Sequence, residues 1–337
     1  MSKFADFFGK IVPSASKLKE RIRPVLEVSP RSFLGIDIGT SSIKVVELTR
    51  WGDKRKLENY GEISSQAIFE KPFRTFDRNT ILLSNQEISR AIKAIAEESE
   101  MKARRAAFSI PDFSTFYINF ELPSMSKEEV PEAVKFEARQ YIPLPLSEVT
   151  MDWQVIEDRQ INGLNGKEKR YKILLVAVPN ETVFQYQEIA RMAGLNIVAL
   201  EAEVFALVRS LVRDDKRTII LIDIGAQSTT VNIIDRKVLK ISHSFDMSGN
   251  ELTEIIKRSL GVDYQQAEER KVKYGLQKIE TGEPSASPKY TAQLLYPLID
   301  LIINEMNKIS QDFYEREGKE VQKIILAGGS ALIPGLK

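Results

Sequence analysis

The sequence predicts an α/β protein built from two similar half-domains, and three observations predict it. Residues 33–48 (FLGIDIGTSSIKVVEL) return as residues 219–234 (IILIDIGAQSTTVNII), 186 positions later (223 minus 37). Strand-like alternation and helix-like period follow one another along the chain, the pattern of a mixed α/β layer. A third Gly-containing turn, residues 326–335 (LAGGSALIPG), ends a strand in the second half.

In the repeat, Asp37-Ile38-Gly39 aligns with Asp223-Ile224-Gly225, Ser42 with Ser228 and Val45 with Val231. Each copy reads as an apolar strand, a short polar turn and a second strand, a β-hairpin signal. Gly39 and Gly225 let the backbone turn where a Cβ would clash. The turn offers backbone N–H groups and small hydroxyls, a suitable cradle for phosphate oxygens. Two such hairpins facing each other would hold a polyphosphate from both sides, with Asp37 and Asp223 orienting Mg²⁺ through its waters. A single turn of this kind is common in plain β-structure. A matched pair points to duplicated half-domains.

The chain has 337 residues, enough for two or three domains. Its hydrophobic fraction, 43%, supports sizeable cores. A net charge of +1 argues against a dedicated nucleic-acid binder. With no cysteine there is no disulfide, thiol catalysis or Cys metal site. No apolar run approaches the roughly 18 residues needed to span a bilayer, and no secretory signal is expected at the N-terminus. The single histidine, His243, reads as an ordinary strand or loop residue.

Taken in order, residues 1–12 place Phe4, Phe7, Phe8, Ile11 and Val12 on one helical face. Pro13 ends that face, and Lys17, Lys19, Arg21 and Arg23 follow. This reads as an interfacial or partner-binding helix with a polybasic follow-on, or as a helix packed on its own domain. After the first hairpin, 49–56 reads as a turn, 57–68 as sheet, 69–80 as a loop and 85–99 as a helix. Residues 106–123 read as two strands. Residues 126–141 read as a helix, with Ser126 and Glu129 spaced as a capping box. Strands are expected over 149–156 and 171–178, with Asn-Gly turns between them. A helix is expected over 181–193, ending at Gly194, then a strand over 196–200 and a helix over 203–212. After the second hairpin come a strand (237–245), a helix (249–260), a helix ending at Gly275, and a polar loop (280–288). A long amphipathic helix (293–314) and a strand (321–326) complete the pattern.

The pair of hairpins resembles the phosphate loops of the actin, Hsp70 and sugar-kinase superfamily, and 326–335 resembles its adenosine motif. Within it, residues 33–48, 136–156 (FEARQYIPLPLSEVTMDWQVI) and 198–211 (VALEAEVFALVRSL) resemble the FtsA-like branch, and most closely the PilM family of type IV pilus assembly proteins. The resemblance covers residues 33–337; family members continue past the corresponding point with a further helix, strand and terminal helix. It implies an actin-like two-lobed ATPase fold of ribonuclease-H-like duplicated domains with an FtsA-type 1C insertion. The implied division is an N-terminal extension (1–30), subdomain 1A (31–105), subdomain 1C (106–196), a linker helix returning to 1A (197–215), 2A (216–248), 2B (249–320) and a return to 2A (321–337).

The resemblance implies ATP and Mg²⁺ as ligands. Gly39, Thr40, Ser41 and Ser42 would cradle the phosphates from one side and Gly225, Ala226, Gln227 and Ser228 from the other. Lys44 would neutralise phosphate charge or stand outward on its strand. Gly249, Glu268 and Lys271 would reach the ribose and purine, and Gly328, Gly329 and Ser330 the adenosine side. Gln227 and Glu203 are the candidates to orient an attacking water in what is at most a slow ATPase. The resemblance further implies a scaffold at the inner face of the cytoplasmic membrane, holding the cytoplasmic tail of PilN in a 1A/1C groove and linking it to the pilus motor. Peripheral membrane contact through residues 3–12 and self-association are further expectations. A filament-forming FtsA homologue and a small-molecule kinase of the same fold are the alternatives.

Overall fold

In a computed structural model of the chain, residues 31–337 are described apart from 53, 65–75, 78–79, 82–83, 127, 164–165 and 278–287. The stretch 3–12, the basic segment 17–23 and most of the loop 280–288 lie outside the described residues. The chain divides into two compact units, Met1–Ala206 and Leu207–Lys337.

The first unit is built on the first hairpin. Strands β1 (Arg31–Ile38) and β2 (Ser42–Trp51) pair antiparallel, with Ile38 opposite Ile43. The chain turns at Gly52 and returns as β3 (Lys54–Ser64), so the turn is shorter than the segment 49–56 that its charge suggested. A two-residue pair, β4 (Phe76–Asp77) and β5 (Thr80–Ile81), precedes helix α1 (Asn85–Glu98). That helix starts with a full capping box: Ser84 and Glu87 satisfy each other's backbone N–H groups. Strand β6 (Arg105–Ile110) then pairs parallel with β1.

From β6 the chain leaves this sheet. Strands β7 (Phe116–Pro123), β8 (Val149–Gly163) and β9 (Gly166–Pro179) form a three-stranded antiparallel sheet with β9 in the centre. Helix α2 (Val130–Ala138) lays Val134 and Ala138 on it, against Ile173, Leu175 and Ala177 of β9. The helix is shorter than expected. Only half of the predicted box forms: the Glu129 carboxylate accepts the Ser126 N–H, while helical geometry begins at Val130.

Helix α3 (Asn180–Ala193), ended by Gly194, and strand β10 (Asn196–Ala202) bring the chain back. The finished sheet has the order β10-β6-β1-β2-β3. Helices α1 and α3 bury Ile88, Ile92, Ile95, Val183, Tyr186 and Ile189 against Leu34, Ile36, Val45 and Phe108 of the strands. The block expected as one insertion over 106–196 is thus split: β6 and α3 belong with the first hairpin's sheet, and the separate layer runs from β7 to β9, while β10 joins that sheet within the segment expected to return to it (197–215). Parallel pairing of β6 with β1 and β10 is non-local, so local sequence pattern does not reveal it. The predicted helix 203–212 is α4 (Glu203–Leu207) followed by a π-helical turn (Val208–Val212).

The second unit repeats the motif. Strands β11 (Thr218–Ile224), β12 (Thr229–Asp235) and β13 (Val238–Phe245) form an antiparallel meander, and β14 (Lys323–Ala327) pairs parallel with β11. Every residue of β12 is buried. Helices α5 (Gly249–Leu260), α6 (Tyr264–Tyr274) and α7 (Pro288–Glu317) pack together through Leu252, Ile256, Ala267, Leu295 and Ile299. The far end of α7 packs Ile309 and Phe313 with Ile220, Ile222, Val231 and Ile233 of the sheet.

Candidate functional site

The two hairpins close in the same way. Gly39 N–H donates to the Ser42 carbonyl at 3.0 Å, and Gly225 N–H donates to the Ser228 carbonyl at 2.9 Å. Four residues separate the last paired positions in each, Ile38 and Ile43 in one, Ile224 and Thr229 in the other. A Cβ on Gly39 or Gly225 would press to 3.0 Å on the same carbonyl it bonds. The sequence repeat is therefore a repeat of backbone geometry.

In the first unit, the hairpin presents a half-exposed carboxylate. Asp37 Oδ1 accepts the Ser109 hydroxyl at 2.9 Å, a contact made possible by β6 lying beside β1. Its Oδ2 is 3.8 Å from Lys44 Nζ, which also lies 4.0 Å from Glu62. Lys44 is Asp37's register partner across the hairpin, so it stands at the turn end of β2 and is half exposed. Exposed at this level, the pair adds little stability. Thr40 is half-buried, Ser41 exposed and Ser42 buried.

Behind Asp37 lies a group that sequence reading missed. Tyr186 is fully buried, and burial first, then the charges of Glu203 and Asp37, push its hydroxyl far above the ordinary tyrosine range. Glu203 accepts the Asp112 N–H at 3.4 Å, Asp112 accepts the Val204 N–H at 3.1 Å, and the Tyr117 hydroxyl donates to the Asp112 carboxylate. Burial and the Asp112 charge raise Tyr117 as well. The signal for Asp112 was present in the sequence as a Pro-Asp step between two strands, a turn former with no evident partner.

In the second unit, the hairpin turn is clamped by α5. The N–H groups of Gly249 and Asn250 donate to the carbonyls of Gly225 (2.9 Å) and Ala226 (2.8 Å), and the Ser248 hydroxyl also donates to Ala226. The first N–H groups of this helix thus hold the loop. Ser330 is buried, and its hydroxyl donates to the Gly225 carbonyl at 3.3 Å. Gly328 has φ +84, and a Cβ there would overlap Asp223 Oδ1 and the Ile224 carbonyl. The Gly-pair turn therefore sits directly on the hairpin carboxylate. Gln227 and Ser228 are half-buried at the turn.

Lys271 is only 7% exposed at its side chain. Its ammonium donates to the Gly249 carbonyl (3.0 Å) and the Thr253 hydroxyl (2.8 Å) and lies 2.7 Å from the Glu268 carboxylate. Burial depresses its pKa, and Glu268 opposes that shift. All three ammonium protons have a partner, so Lys271 pins α6 to the first turn of α5. The partly exposed Glu268 carboxylate, which also accepts the Thr253 hydroxyl, is the member of this pair open to solvent.

Taken by itself, each turn carries chemistry that suits phosphate oxygens and hydrated Mg²⁺: a carboxylate two residues before a tight glycine with small hydroxyls beside it, and little or no room for a Cβ at Gly39, Gly225 and Gly328. Carboxylates that orient Mg²⁺ through water need no further protein ligands.

Comparison with known proteins places these features. The family model for "Type IV pilus assembly protein PilM" matches residues 35–337. Among curated relatives, cell division protein FtsA of Enterococcus faecalis is 22% identical over 90% of this chain and 74% of its own length. FtsA of Enterococcus hirae is 24% identical, with the same coverage. A solved PilM-PilN type IV pilus biogenesis complex matches with a TM-score of 0.72 at 24% identity, over 90% of this chain and 83% of that one. Ethanolamine utilization protein EutJ from Carboxydothermus hydrogenoformans matches with a TM-score of 0.53 at 14% identity, over 93% and 81%. The fold is that of the actin-like ATPases. Among the described residues, no helix is long and apolar enough to cross a membrane.

Proposed function

The chain belongs to the family of type IV pilus assembly protein PilM, and from that premise we propose that it is an ATP-binding scaffold of pilus assembly. Its partner in this reading is a PilN-like inner-membrane protein, whose cytoplasmic tail it holds and links to the pilus motor. It works at the cytoplasmic face of the inner membrane. The observation that carries the nucleotide part is the duplicated hairpin, with the same closing hydrogen bond and a carboxylate two residues before the glycine in both units.

Asp37 in the first unit and Asp223 in the second would each orient water on a bound Mg²⁺. The turns 39–42 and 225–228 would each offer backbone N–H groups to phosphate oxygens, and Lys44 beside Asp37 would supply a countercharge at the first. Gly328 and Gly329 give the adenosine side its close backbone approach. Mg-ATP would supply negative charge there, which these dipoles and Lys44 would neutralise. Positioning and electrostatics account for most phosphoryl-transfer catalysis, and no residue at these turns is a strong base. The protein is therefore a switch first, with at most slow turnover. An extended tail binds through backbone pairing and side-chain pockets without catalysis.

The test is calorimetric titration of the full chain with Mg-ATP, with Asp37→Asn as the control, followed by titration of a PilN tail peptide with and without ATP. Micromolar binding that Asp37→Asn weakens at least about tenfold, close to 1.4 kcal/mol, supports the switch. Peptide binding that is indifferent to ATP, or absence of ATP binding, overturns it.

A further inference from the structure

Arg50 and Arg55 are register partners in a row across β2 and β3. Like charges set opposite one another on neighbouring strands are destabilising, so folding gains nothing from this row. Beside it, Trp51 pairs with Lys54 next to the β2–β3 turn and is 62% exposed. Lys56 follows. Between 50 and 56, four cations stand against the single acid Asp53, in a chain whose net charge is only +1. Among the described residues, the ion pair in this group is Lys56 with Glu58 at 2.6 Å, and Arg50 Nε donates to the Gly52 carbonyl at 2.8 Å.

An exposed indole among lysines and arginines is the composition found where proteins meet the membrane–water interface. Cations near an anionic leaflet add attraction that fades within a Debye length. We propose that the β2–β3 turn, through Trp51, Arg50, Lys54, Arg55 and Lys56, docks on an anionic phospholipid surface, with the indole at headgroup depth and the cations on lipid phosphates. Single-strand nucleic acid is the less favoured occupant, because it calls for several stacking aromatics along a basic groove. Here one indole stands at one turn.

The experiment uses the full chain and reads Trp51 fluorescence. The chain has two tryptophans, Trp51 and Trp153, so a Trp153→Phe chain reports Trp51 alone, and a Trp51→Ala chain gives the reciprocal control. With vesicles of phosphatidylcholine containing about 30% phosphatidylglycerol, the Trp51 emission shifts to the blue and becomes shielded from an aqueous quencher. High salt reverses this, and pure phosphatidylcholine does not produce it. The Lys54→Glu/Arg55→Glu chain loses vesicle partition about tenfold or more. The Trp51→Ala chain shows no shift of its remaining tryptophan.

Three outcomes overturn the proposal. The first is absence of vesicle binding. The second is vesicle binding with unchanged Trp51 emission, which assigns the contact to residues 1–30. The third is a Trp51 response to poly(U) but not to vesicles, which assigns the turn to nucleic acid.

Discussion

The ammonium of Lys271 donates to the carbonyl of Gly249 at 3.0 Å, so this buried side chain pins the start of α5. Gly249 in turn donates to Gly225. The chain of contacts runs from α6 through the start of α5 to the second hairpin turn. Replacing Lys271 by Met leaves the Gly249 carbonyl and the Glu268 carboxylate without their cation. Removing one member of a buried charged contact is costly; a loss of roughly 2–3 kcal/mol is expected, read as a lowered midpoint in urea. Mg-ATP affinity falls with it, because the hairpin turn loses its support. Unchanged stability in Lys271→Met would remove the pin.

Much of this arrangement was legible in the sequence, for a local reason. The hairpins announce themselves within sixteen residues each, by apolar alternation and a glycine at a fixed offset from an acid, and both formed with their 186-residue offset intact (223 minus 37). What was not legible depends on distant pairing. Ser109 reaches Asp37 only because β6 crosses over to lie parallel to β1. Tyr186 looks like any aromatic on an amphipathic helix until α3 is placed over that sheet. Lys271 lies in a highly charged stretch, AEERKVK, which reads as a solvated face; the small Ala267 one turn earlier is what lets this side of α6 approach α5.

Asp112 and Glu203 form a second pin, at the point where the chain leaves the five-stranded sheet. Asp112→Asn keeps the shape but weakens the acceptor for the Tyr117 hydroxyl and the Val204 N–H. A cost of about 1–3 kcal/mol is expected. Tyr117→Phe removes the same hydroxyl contact, so the double variant should fall short of the sum of the two singles by at least roughly 0.5 kcal/mol. Additive singles would show that the two groups do not act together. Because burial and the Asp112 charge hold Tyr117 high, its phenol should stay protonated in the folded chain above pH 10 by ultraviolet difference titration.

Glu47 predicts a pH dependence. It is 5% exposed on β2 and accepts the N–H groups of Lys102 (3.1 Å) and Ala103 (2.8 Å) and the Asn59 amide (2.7 Å). Burial pushes its pKa up, but these hydrogen bonds together outweigh it, and the folded value lies below the ordinary one. A depressed carboxylate contributes stability that is complete above its unfolded pKa, about 4.3, and is lost as pH falls through the lower folded value. Wild-type stability should therefore drop below about pH 4.3 more steeply than that of Glu47→Gln, which carries no proton to bind. At neutral pH, Glu47→Ala should cost roughly 2–3 kcal/mol, since it strands the buried Ala103 N–H and two part-buried donors. Parallel acid limbs for wild type and Glu47→Gln would show that another group carries the titration.

Gly328 and Gly329 make opposite predictions although they are neighbours. Gly328 has φ +84 and ψ 163, a region essentially closed to other residues, and a Cβ there would overlap Asp223 and Ile224. Around a Cβ on Gly329 there is nothing within 4 Å. Gly328→Ala should lose about 1–3 kcal/mol of stability and displace the Asp223 carboxylate, weakening Mg-ATP. Gly329→Ala should fold as well as wild type, so any affinity it loses comes from a ligand that needs the space itself. A Gly329→Ala chain with wild-type stability and weakened Mg-ATP binding would place the nucleotide against this turn. Wild-type stability with wild-type affinity would move the adenosine contact away from the Gly pair, leaving Gly328 as the support of Asp223 alone.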